Sequence, residues 1–508
     1  MLNKFSSRAL YTAAQLREID RLAIAAGTPG VVLMRRAAEA AWQAAERYLQ
    51  DSLAVACKDI VVLCGAGNNG GDAFLVARAA KASGAAVKVF AFADSRGDAA
   101  TARAALQGDG VTVQSHAQLD AATLATADLV VDGLLGTGAA GPPRDSYAAA
   151  IALVNAACRP VLALDIPSGI CADSGRLLGA AAICADLTVA FIGFKRGLFT
   201  DAATEHVGTL VLATLGVDCA AYPVTSSAAL CDFDALEQRL PARKANHYKN
   251  RSGHVLVIGG DYGMAGAVIL AGRAAMLCGA GLVSVATRTE HVAAVVAAQP
   301  ELMVHGIHSA AALAPLLARA TVLVIGPGLG QSAWSQQLLL KAAASGIPAV
   351  VDADALNLVA ANCKLLPCGD ALLTPHPGEA RRLAAGFAID PGTDRFELAG
   401  ALQRSSAKNL LLKGAGTIIA NSDQMRLCPY GHPVLATAGS GDVLSGVAAA
   451  LLAQGMSMHE AAQLAACLHA HAGEQWAARH GARGMLAGDL IAVIRELLND
   501  ASPHGSPQ

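Results

Sequence analysis

The sequence predicts an α/β protein of two large three-layer αβα domains, each with helices on both faces of a mostly parallel sheet. Two observations predict this class: short apolar runs alternate with alanine-rich segments of helical length, and Gly, Asn or Asp follows most of the runs. A third observation concerns the domains, because one polar, aperiodic stretch near residues 216–250 interrupts the alternation. At about 150 residues per domain, 508 residues would make about three domains, and two large α/β domains also fit.

The elements of the first half begin with two helices. The pattern predicts one helix from Thr12, which can cap it, to about Ala26, and another from Val31 to about Gln50. Buried strands then follow, because each apolar run is short and ends in turn residues. The predicted strands are Ile60–Cys64, Val87–Phe92, Leu129–Val131, Val161–Leu164 and Leu187–Phe191.

The second half repeats the alternation with different glycine motifs, so the halves are not repeats of each other. We place the boundary at about 222–230, which predicts domains over residues 1–222 and 223–498. The tail, residues 499–508, is expected to be disordered. The predicted strands of this half are Val255–Ile258, Leu282–Ala286, Val322–Ile325, Ala349–Val351, Ala371–Leu373, Leu410–Leu412 and Thr417–Ala420.

The composition excludes several kinds of protein. Hydrophobic residues make up 54% of the chain and charged residues 15%, which excludes a disordered, highly charged protein. A net charge of −2 gives no basic field for nucleic acid or for a membrane surface. The 12 cysteines are scattered without a CxxC pair, which predicts reduced thiols in the cytoplasm.

The high apolar content requires a search for membrane spans. The longest uncharged stretch, Ala320 to Leu340, contains Pro327 and several glycines, which predict a strand, a turn and a helix start. No run reaches about 18 clean apolar residues, and the N-terminus lacks the apolar segment of a signal peptide. We therefore expect neither a membrane span nor a signal peptide.

Polar residues in the first half collect at predicted strand ends. The strand DIVVLC leads into the glycine loop GAGNNGGDAF, and glycines between a strand and a helix let the backbone approach a phosphate. Asp72, Asp132 and Asp165 each follow such a strand, and a second glycine loop runs from Gly136 to Pro142. A helix cap is the alternative for any one of these aspartates. Their combination with two glycine loops favours a ligand site, whose oxygen atoms could also hold a cation.

The motifs GNNGGD, DGLLGTG and DIPSG, in this order, resemble those of the NAD(P)H-hydrate epimerase family, over about residues 10–215. The resemblance implies a Rossmann-like fold and interconversion of the R and S forms of hydrated NADH or NADPH. It implies that Asp165 acts near the reacting carbon and that Asn69, Asp132 and Ser168 coordinate K⁺. It further implies substrate contacts from Asn68, Asn69, Gly70, Gly71, Asp72, Gly136, Thr137, Gly138, Ala139, Ala140, Gly141, Pro142 and Asp165.

The chemistry of this reaction suits a carboxylate. A hemiaminal carbon can lose water to give a ring imine and take water back on the other face, which needs a group able to move protons. Asp165 is the candidate for that group. One departure is LMRRAA at residues 33–38, where the family pattern has an acidic residue and a glycine, which puts the contact from that helix in doubt.

The second half carries a glycine turn before a long apolar helix. In GSGDVLSG, Gly439, Ser440 and Gly441 precede Asp442, and backbone N–H groups at a helix start form an anion hole. An Asp placed there can act as a base beside a transferring phosphoryl group. The alternative is an ordinary N-capping Asp. Lys413 in KGAGT predicts a phosphate-contacting loop that is not a Walker A motif.

The motifs GHVLVIGG, GMAGA, GPGLG, DADAL, TPHPGE, KGAGT and GSGDVLSG resemble, in this order, the ADP-dependent NAD(P)H-hydrate dehydratases of the ribokinase-like superfamily. They cover about residues 240–495. Sugar kinases of the superfamily carry an Asp where this chain has Ala436, which favours the dehydratase branch. The resemblance implies that Asp442 is catalytic and contacts the hydrate together with Ala267, Gly328 and His376. It implies that the adenine nucleotide, with Mg²⁺, is bound by Lys413, Gly414, Ala415, Gly416, Thr417 and Gly441.

The two resemblances together predict a two-domain metabolite repair enzyme, with a Rossmann-like N-terminal domain and a ribokinase-like C-terminal domain. One domain would epimerise the hydrates, and the other would return the S form to NAD(P)H while ADP is cleaved to AMP and phosphate. The expected partners are the small molecules NADHX, NADPHX, ADP and AMP. The alanine-rich helices also predict a homo-oligomer. The alternative is a small-molecule kinase with a non-catalytic N-terminal nucleotide-binding module.

Overall fold

A computed structural model describes residues 7–53, 58–240, 246, 248–392 and 394–500. The chain divides into two compact units, and the division falls between Ala229 and Leu230. Each unit has its own sheet and its own apolar core. The units are therefore described one at a time.

The first unit is built on a seven-stranded parallel sheet. Its strand order is β4-β3-β2-β5-β6-β7-β9, so the chain crosses over after β4 and then continues on the other side of β2. A smaller group pairs β1 with β8 in parallel and with β10 in antiparallel fashion. The strands are β1 (Ala9–Tyr11), β2 (Asp59–Cys64), β3 (Ala86–Ala91), β4 (Val113–Ser115), β5 (Leu129–Gly133), β6 (Val161–Leu164), β7 (Leu187–Phe191), β8 (Phe194–Lys195), β9 (Thr209–Ala213) and β10 (Ala228–Leu230).

Helices cover both faces of this sheet. Along β2, Ile60 and Val62 belong to one apolar cluster, while Val61 and Leu63 belong to a second one, because side chains alternate between the faces of a strand. The first cluster includes α1–α4 and the second includes α5 and α6. The helices are α1 (Ala13–Ala25), α2 (Gly30–Tyr48), α3 (Asn68–Ala82), α4 (Asp98–Gly108), α5 (Ala121–Ala125), α6 (Asp145–Ala157) and α7 (Ala203–His206).

Nine strands of the second unit are neighbours in the order β13-β12-β11-β14-β15-β16-β17-β18-β19. The strands are parallel as far as β17, and β18 and β19 are added in antiparallel fashion. The strands are β11 (His254–Ile258), β12 (Leu282–Thr287), β13 (Met303–Gly306), β14 (Val322–Ile325), β15 (Ala349–Val351), β16 (Ala371–Leu373), β17 (Asn409–Leu412), β18 (Thr417–Ala420) and β19 (Met425–Cys428).

Small residues allow the central helices of the second unit to pack closely. A Cβ atom on Gly446 would lie 2.2 Å from the carbonyl oxygen of Ala271, so only glycine fits where two core helices cross. The helices are α8 (Phe233–Glu237), α9 (Ala265–Leu277), α10 (Val292–Ala298), α11 (Ala314–Leu317), α12 (Ala333–Ala343), α13 (Ala353–Ala361), α14 (Pro377–Gly386), α15 (Arg395–Ser406), α16 (Ser440–Ala453), α17 (Met458–His480) and α18 (Ala487–Asp500).

The predicted fold class is confirmed. The predicted strands are all present, several with the predicted ends, and Thr12 caps α1 through a capping box. The aperiodic region 216–250 is less irregular than predicted, because it contains β10 and α8. The predicted tail, residues 499–508, lies outside the described residues from 501 onward, and Asp500 ends α18.

Two other predictions concern the whole chain. Within the described residues, no helix is both long and apolar enough to cross a membrane. The cysteines in the same part of the chain are free thiols, as their scattered spacing predicts.

Candidate active sites

The polar motifs of the first unit meet at one edge of its sheet. GNNGGD follows β2, DGLLGTG overlaps the end of β5, and DIPSG follows β6. These strands are neighbours in the order β2-β5-β6 and run parallel, so their carboxyl ends lie side by side. In open parallel sheets, this edge is where ligands bind.

The first glycine loop ends in a helix whose first residues are the predicted substrate contacts. Helix α3 begins at Asn68, so Asn68 to Gly71 form its first turn and Asp72 follows directly. A Cβ atom on Gly70 would lie 2.0 Å from the carbonyl oxygen of Gly65, so the turn requires glycine there. Because α3 follows β2, its N-terminus lies at this sheet edge, and the N–H groups at a helix start suit an anionic group.

Asp132 and Ser168 form a buried hydrogen-bond network below this turn. Both side chains are fully buried. The Ser168 hydroxyl donates to Asp132 Oδ1 over 2.6 Å, and the Ser168 N–H donates to Oδ2 over 2.8 Å. Burial raises the pKa of Asp132 to about 6, although hydrogen bonds from Ser168 and from the N–H of Leu134 oppose the shift.

Asn69 completes a set of oxygen atoms beside this network. Its Nδ2 donates to the carbonyl oxygen of Leu135 over 2.9 Å, while its buried Oδ1 has no hydrogen-bond partner. A buried carbonyl-type oxygen without a partner is costly unless a cation or water occupies the position it faces. The sequence-predicted K⁺ ligands Asn69, Asp132 and Ser168 are thus grouped around Leu135, and their donor atoms fit a hard cation.

Asp165 is held by a lysine that the sequence reasoning did not select. Lys195, at the end of β8, is 2% exposed and forms an ion pair with Asp165 Oδ1. The same oxygen accepts a hydrogen bond from the N–H of Phe191, and Lys195 Nζ also donates to the Phe191 carbonyl oxygen. Asp165 has a φ of 67°, a left-handed conformation that a non-glycine residue rarely adopts. Such strain collects at functional sites.

Two further carboxyl groups lie near Asp165. Asp72 is 9% exposed, and its burial raises its pKa well above the usual value, with further increases from the charges of Asp165 and Asp20. Lys195 opposes this shift. Burial and Asp165 also raise the pKa of Asp20, which lies on α1. The site therefore combines a carboxyl group that holds its proton more tightly than usual, Asp72, with one in an ion pair, Asp165.

The second glycine loop lies next to the first at one end only. A Cβ atom on Gly136 would be 3.2 Å from Asn69 Cβ, so this end lies against α3. Gly138 and the residues from Ala140 to Pro142 are exposed. Segment 33–38 is the one that departs from the family pattern. Its Met34 packs against Gly71, whereas its Arg36 donates to the carbonyl oxygen of Leu215.

The motifs of the second unit also share one sheet edge. They follow β11, β14, β15, β16 and β17, which are consecutive neighbours in the sheet. The start of α16 joins them, because Asp442 lies near Asp352 and Lys413, which follow β15 and β17. Among the residues that the structure describes, no three His, Cys, Asp or Glu side chains are grouped to hold a metal.

Helix α16 begins with the predicted anion hole. Gly439 is its N-cap and has a φ of 86°, where a Cβ atom would lie 2.5 Å from Leu270 Cδ1. Nε2 of His469 donates to the carbonyl oxygen of Ser440 over 2.9 Å. Burial lowers the pKa of His469 to about 4, so the ring is neutral at pH 7. His469 thus fixes the first turn without adding charge.

Asp442 lies in this first turn, and its pKa is raised. Burial raises the pKa of Asp442 to about 7, and the charges of Asp352 and Asp354 add to the shift while Lys413 opposes it. Asp352, 1% exposed, accepts hydrogen bonds from Lys413 Nζ and Ser445 Oγ, both over 2.7 Å. A carboxyl group with a pKa near the working pH is suited to take a proton from a substrate.

Other predicted nucleotide residues form a braced loop around Lys413. Arg395 donates to the carbonyl oxygens of Ala415 and, over 3.2 Å, of Lys413. Gly414 has a φ of 139°, and a Cβ atom there would lie 2.8 Å from the Arg395 guanidinium. Gly441 faces this loop, since a Cβ atom on it would be 3.4 Å from Lys413 Nζ. The loop and the anion hole therefore face each other.

His376 is at the rim of the site. Its side chain is 51% exposed, and its Nε2 lies 3.4 Å from Oε1 of the buried Glu379. The other carboxylate oxygen of Glu379 accepts from the His376 N–H and lies 3.9 Å from Lys413 Nζ. Glu379 thus connects the predicted substrate residue His376 to the predicted nucleotide residue Lys413.

The loop after β11 contacts the loop after β14. The Asp261 N–H donates to the carbonyl oxygen of Gly328 over 2.6 Å, and the Gly260 N–H donates to that of Pro327 over 3.0 Å. A Cβ atom on Gly328 would lie 3.1 Å from Ala267 Cβ. The structure therefore brings together Ala267 and Gly328, which the sequence placed around the hydrate.

Three residues that contact the predicted site residues were not selected from the sequence: Lys195, Asp352 and Arg395. DADAL was noted as a strand-end motif, and its first Asp could have been selected for the same reason as Asp132. Nothing local distinguishes Lys195 or Arg395 from surface cations, because their importance comes from contacts with Asp165 and with the Lys413 loop.

Family models match both units. One model, described as NAD(P)H-hydrate dehydratase, matches residues 255–496. Another, described as YjeF-related protein N-terminus, matches residues 30–197. The two matches fall on opposite sides of the division at Ala229.

Two relatives match most of the length of the chain. A bifunctional NAD(P)H-hydrate repair enzyme from Coxiella burnetii is 42% identical over 96% of this chain and 99% of its own length. One from Escherichia coli is 40% identical over 92% of this chain and 89% of its own length. A solved structure of a ribokinase-like superfamily protein from Enterococcus faecalis has a TM-score of 0.50 and 28% identity, and it covers 53% of this chain and 95% of that one.

Proposed function

Because the chain belongs to the family of bifunctional NAD(P)H-hydrate repair enzymes, we propose that each unit performs one of two linked reactions. The first unit interconverts the R and S hydrates of NADH and NADPH. The second unit returns the S hydrate to NAD(P)H and uses ADP to do so. The observation that carries this proposal is Asp442, with a pKa of about 7, in the first turn of α16 opposite Lys413.

The second unit has the groups that an ADP-coupled dehydration needs. Hydroxide is a poor leaving group, so the C6 hydroxyl is first converted to a phosphate ester. Asp442 takes the hydroxyl proton, the oxygen attacks the β-phosphorus of ADP, and the phosphoanhydride bond breaks to release AMP. The ring nitrogen lone pair then expels phosphate, and loss of a proton from C5 gives the dihydropyridine ring of NAD(P)H.

Other residues of this site bind and orient the nucleotide. The N–H groups at the start of α16 and the ammonium of Lys413 stabilise negative charge on the transferring phosphoryl group. Arg395 keeps the Lys413 loop in place, and Asp352 orients the Lys413 ammonium through their hydrogen bond. Mg²⁺ is expected with the nucleotide, because it binds phosphates and commonly retains several of its waters. It would neutralise phosphate charge.

The first unit has two carboxyl groups suited to epimerisation. Asp72, whose pKa is raised by burial, can protonate the leaving C6 hydroxyl, after which water departs and a ring iminium remains. Asp165 can accept a proton from the water that returns on the other face. Lys195 holds the Asp165 carboxylate in position through their ion pair. A bound K⁺ would be held by Asn69, Asp132 and Ser168 and would attract an anionic part of the substrate.

Four finer points are part of the same proposal. ADP rather than ATP as the phosphoryl donor rests on the family resemblance. K⁺ rests on the unpaired Oδ1 of Asn69 as well. A cytoplasmic location rests on the free cysteines alone. Assembly into a homo-oligomer rests on the alanine-rich helices alone.

An equal mixture of R and S NADPH hydrates with ADP, Mg²⁺ and K⁺ tests both reactions in one cuvette. The absorbance near 340 nm should recover for the whole mixture. Asp442→Ala should abolish recovery, and Asp165→Asn should limit it to about half, because only the S form is then consumed. No recovery with either ADP or ATP would contradict the proposal and favour the kinase alternative, which a panel of alcohols with ATP would then test.

A further inference from the structure

The exposed ring of Tyr262 stacks on the guanidinium of Arg288 beside the candidate site of the second unit. The guanidinium carbon of Arg288 lies 4.5 Å from the ring centroid of Tyr262 and 4.0 Å from that of Trp334. We call these three side chains the ring stack. Trp334 is 8% exposed and donates from Nε1 to the carbonyl oxygen of Ile307, whereas Tyr262 is 60% exposed. The stack therefore runs from the core to the surface and ends in an open ring.

Polar contacts fix the orientation of this ring. Arg288 Nε donates to Asp261 Oδ1 over 2.7 Å, and the Tyr262 hydroxyl donates to Glu290 over 3.2 Å. Asp261 Oδ2 accepts from Ser332, which caps α12. An exposed large aromatic side chain that is held at both its backbone and its hydroxyl is a preorganised surface, and it loses little further entropy when a flat ligand covers it.

The ring stack is at the hydrate side of the site. Tyr262 lies in the loop between β11 and α9, Ala267 lies in the first turn of α9, and the Asp261 N–H of this loop donates to the carbonyl oxygen of Gly328. Lys413, by contrast, follows β17, which is four strands away in the order β11-β14-β15-β16-β17. At about 4.8 Å between strands, this separation is roughly 19 Å. The Lys413 loop and the ring stack thus lie at different ends of this row of strands, and Asp442 lies near Asp352, which follows the intervening strand β15.

The chemistry of the stack favours an electron-rich, flat ring. The cation under Tyr262 withdraws electron density from the ring, and stacking of a nucleobase on an aromatic side chain tolerates many orientations. A dinucleotide hydrate with its nicotinamide ring at Asp442 has a second base, adenine, at the far end of a pyrophosphate.

From this placement we propose that Tyr262 is the stacking platform for the adenine base of the hydrated dinucleotide. The inference rests on the proposed dehydration and deepens it. Tyr262 would contribute to binding of the dinucleotide hydrate, and neither to binding of ADP nor to the phosphoryl transfer itself. It would make the enzyme discriminate in favour of dinucleotide hydrates over mononucleotide ones.

The test compares two hydrates with and without the adenosine half. Dehydration is measured in the full-length protein with saturating ADP, for the S hydrate of NADPH and for the hydrate of reduced nicotinamide mononucleotide. Tyr262→Ala should raise KM for the dinucleotide hydrate about tenfold or more, the range found when a stacked aromatic is removed. KM for the mononucleotide hydrate and for ADP should stay unchanged. Tyr262→Phe keeps the ring and should remain within about twofold of the parent.

Tyr248 provides a matched control. It is 56% exposed, and the Arg251 guanidinium carbon lies 5.0 Å from its ring centroid, but it precedes β11 and so lies at the opposite sheet edge. Tyr248→Ala should change none of the constants.

Four results would contradict the proposal that Tyr262 stacks on adenine. They are an equal rise in KM for both hydrates in Tyr262→Ala, a raised KM for ADP in that variant, no change in any constant in that variant, or the same change in Tyr248→Ala. Failure of the parent protein to dehydrate either hydrate would instead contradict the proposed function.

Discussion

Lys195, at the end of β8, and Asp165, which directly follows β6, form a largely buried ion pair in the first unit. The lysine is 2% exposed, and its ammonium also donates to the carbonyl oxygen of Phe191. Burying an ammonium is costly unless it is paired and hydrogen-bonded, so the pair is kept for a reason other than simple packing. Orientation of the Asp165 carboxylate toward the substrate is that reason in the proposed mechanism.

Lys195→Met should therefore lower the rate of epimerisation by about 10² or more, because it removes both the orientation and the charge that hold the Asp165 carboxylate. The measurement is interconversion of purified R hydrate to S hydrate without ADP. Dehydration of purified S hydrate by the same protein serves as the control, since it depends on the second unit.

Lys195→Arg separates positioning from folding. It keeps a cation for Asp165, so it should retain more epimerisation than Lys195→Met, with a changed pH profile. Epimerisation at the parent rate and with the parent pH profile in Lys195→Met would remove Lys195 from the mechanism. Loss of both reactions together would point to unfolding, which the melting temperature of the variant would reveal.

The dehydratase reaction should depend on pH through Asp442. Its pKa is raised to about 7, and the base is active only when deprotonated. The value of kcat/KM for the S hydrate should therefore fall as the pH drops below about 7, by about tenfold per pH unit well below it. Asp442→Asn should lose activity at every pH, by about 10²-fold or more.

Asp352→Asn tests the electrostatic cause of that dependence. The negative charge of Asp352 helps to raise the pKa of Asp442, so its removal should lower that pKa and move the acidic limb of the profile to lower pH. Its hydrogen bonds from Lys413 and Ser445 are partly kept by the amide oxygen. A limb that stays at the same pH in Asp352→Asn would show that another group controls it.

Much of the fold could be predicted from the sequence because the central strands are buried on both faces. Val161–Leu164 and Leu187–Phe191 are short runs that are apolar except for Thr188, and the structure has strands with these ends. The edge strands Val113–Ser115 and Met303–Gly306 were missed, because they are short and carry polar residues, as the edges of a sheet permit. Asp165 and Asp442 could be selected because glycine motifs next to strand and helix ends restrict where ligands bind.

The groups that tune those aspartates could not be predicted in the same way. Lys195 and Asp352 affect the sites through contacts between residues far apart in the chain. The orphaned Oδ1 of Asn69 is also visible only in three dimensions, because it depends on which atom of the amide faces Leu135. Sequence motifs locate the reacting groups, whereas their acidity and orientation depend on tertiary packing.

Potassium should stabilise the first unit through Asn69. A ligand that binds only the folded state raises the melting temperature, and does so more at a given concentration when it binds more tightly. A site that selects K⁺ should therefore raise the melting temperature of the parent protein more with K⁺ than with Na⁺ at equal ionic strength. Asn69→Leu removes the unpaired Oδ1 and should abolish the difference. Asn68→Ala, on the exposed neighbour, should keep it. A K⁺ effect of equal size in Asn69→Leu would contradict this assignment of the cation site.

Two lysines at opposite ends of β17 allow a matched test of nucleotide binding. Lys413 follows the strand and faces Gly441 at the start of α16, whereas Lys408 precedes the strand and donates to the carbonyl oxygen of Gly369 over 2.8 Å. Lys413→Met should raise KM for ADP and lower kcat, because the ammonium would contact the phosphates. The loss of a charge-assisted contact of about 1.5–3 kcal/mol corresponds to about 10- to 100-fold in kcat/KM.

Lys408→Met should leave both constants near those of the parent, because Lys408 lies at the edge of the sheet away from the nucleotide. The measurement is the initial rate of NADPH recovery from the S hydrate at varied ADP. Equal effects of the two variants would show that loss of charge or of stability, rather than contact with the nucleotide, explains the change. An unchanged KM and kcat in Lys413→Met would instead remove the Lys413 loop from the nucleotide site, and Arg395, which braces that loop, would lose its proposed role with it.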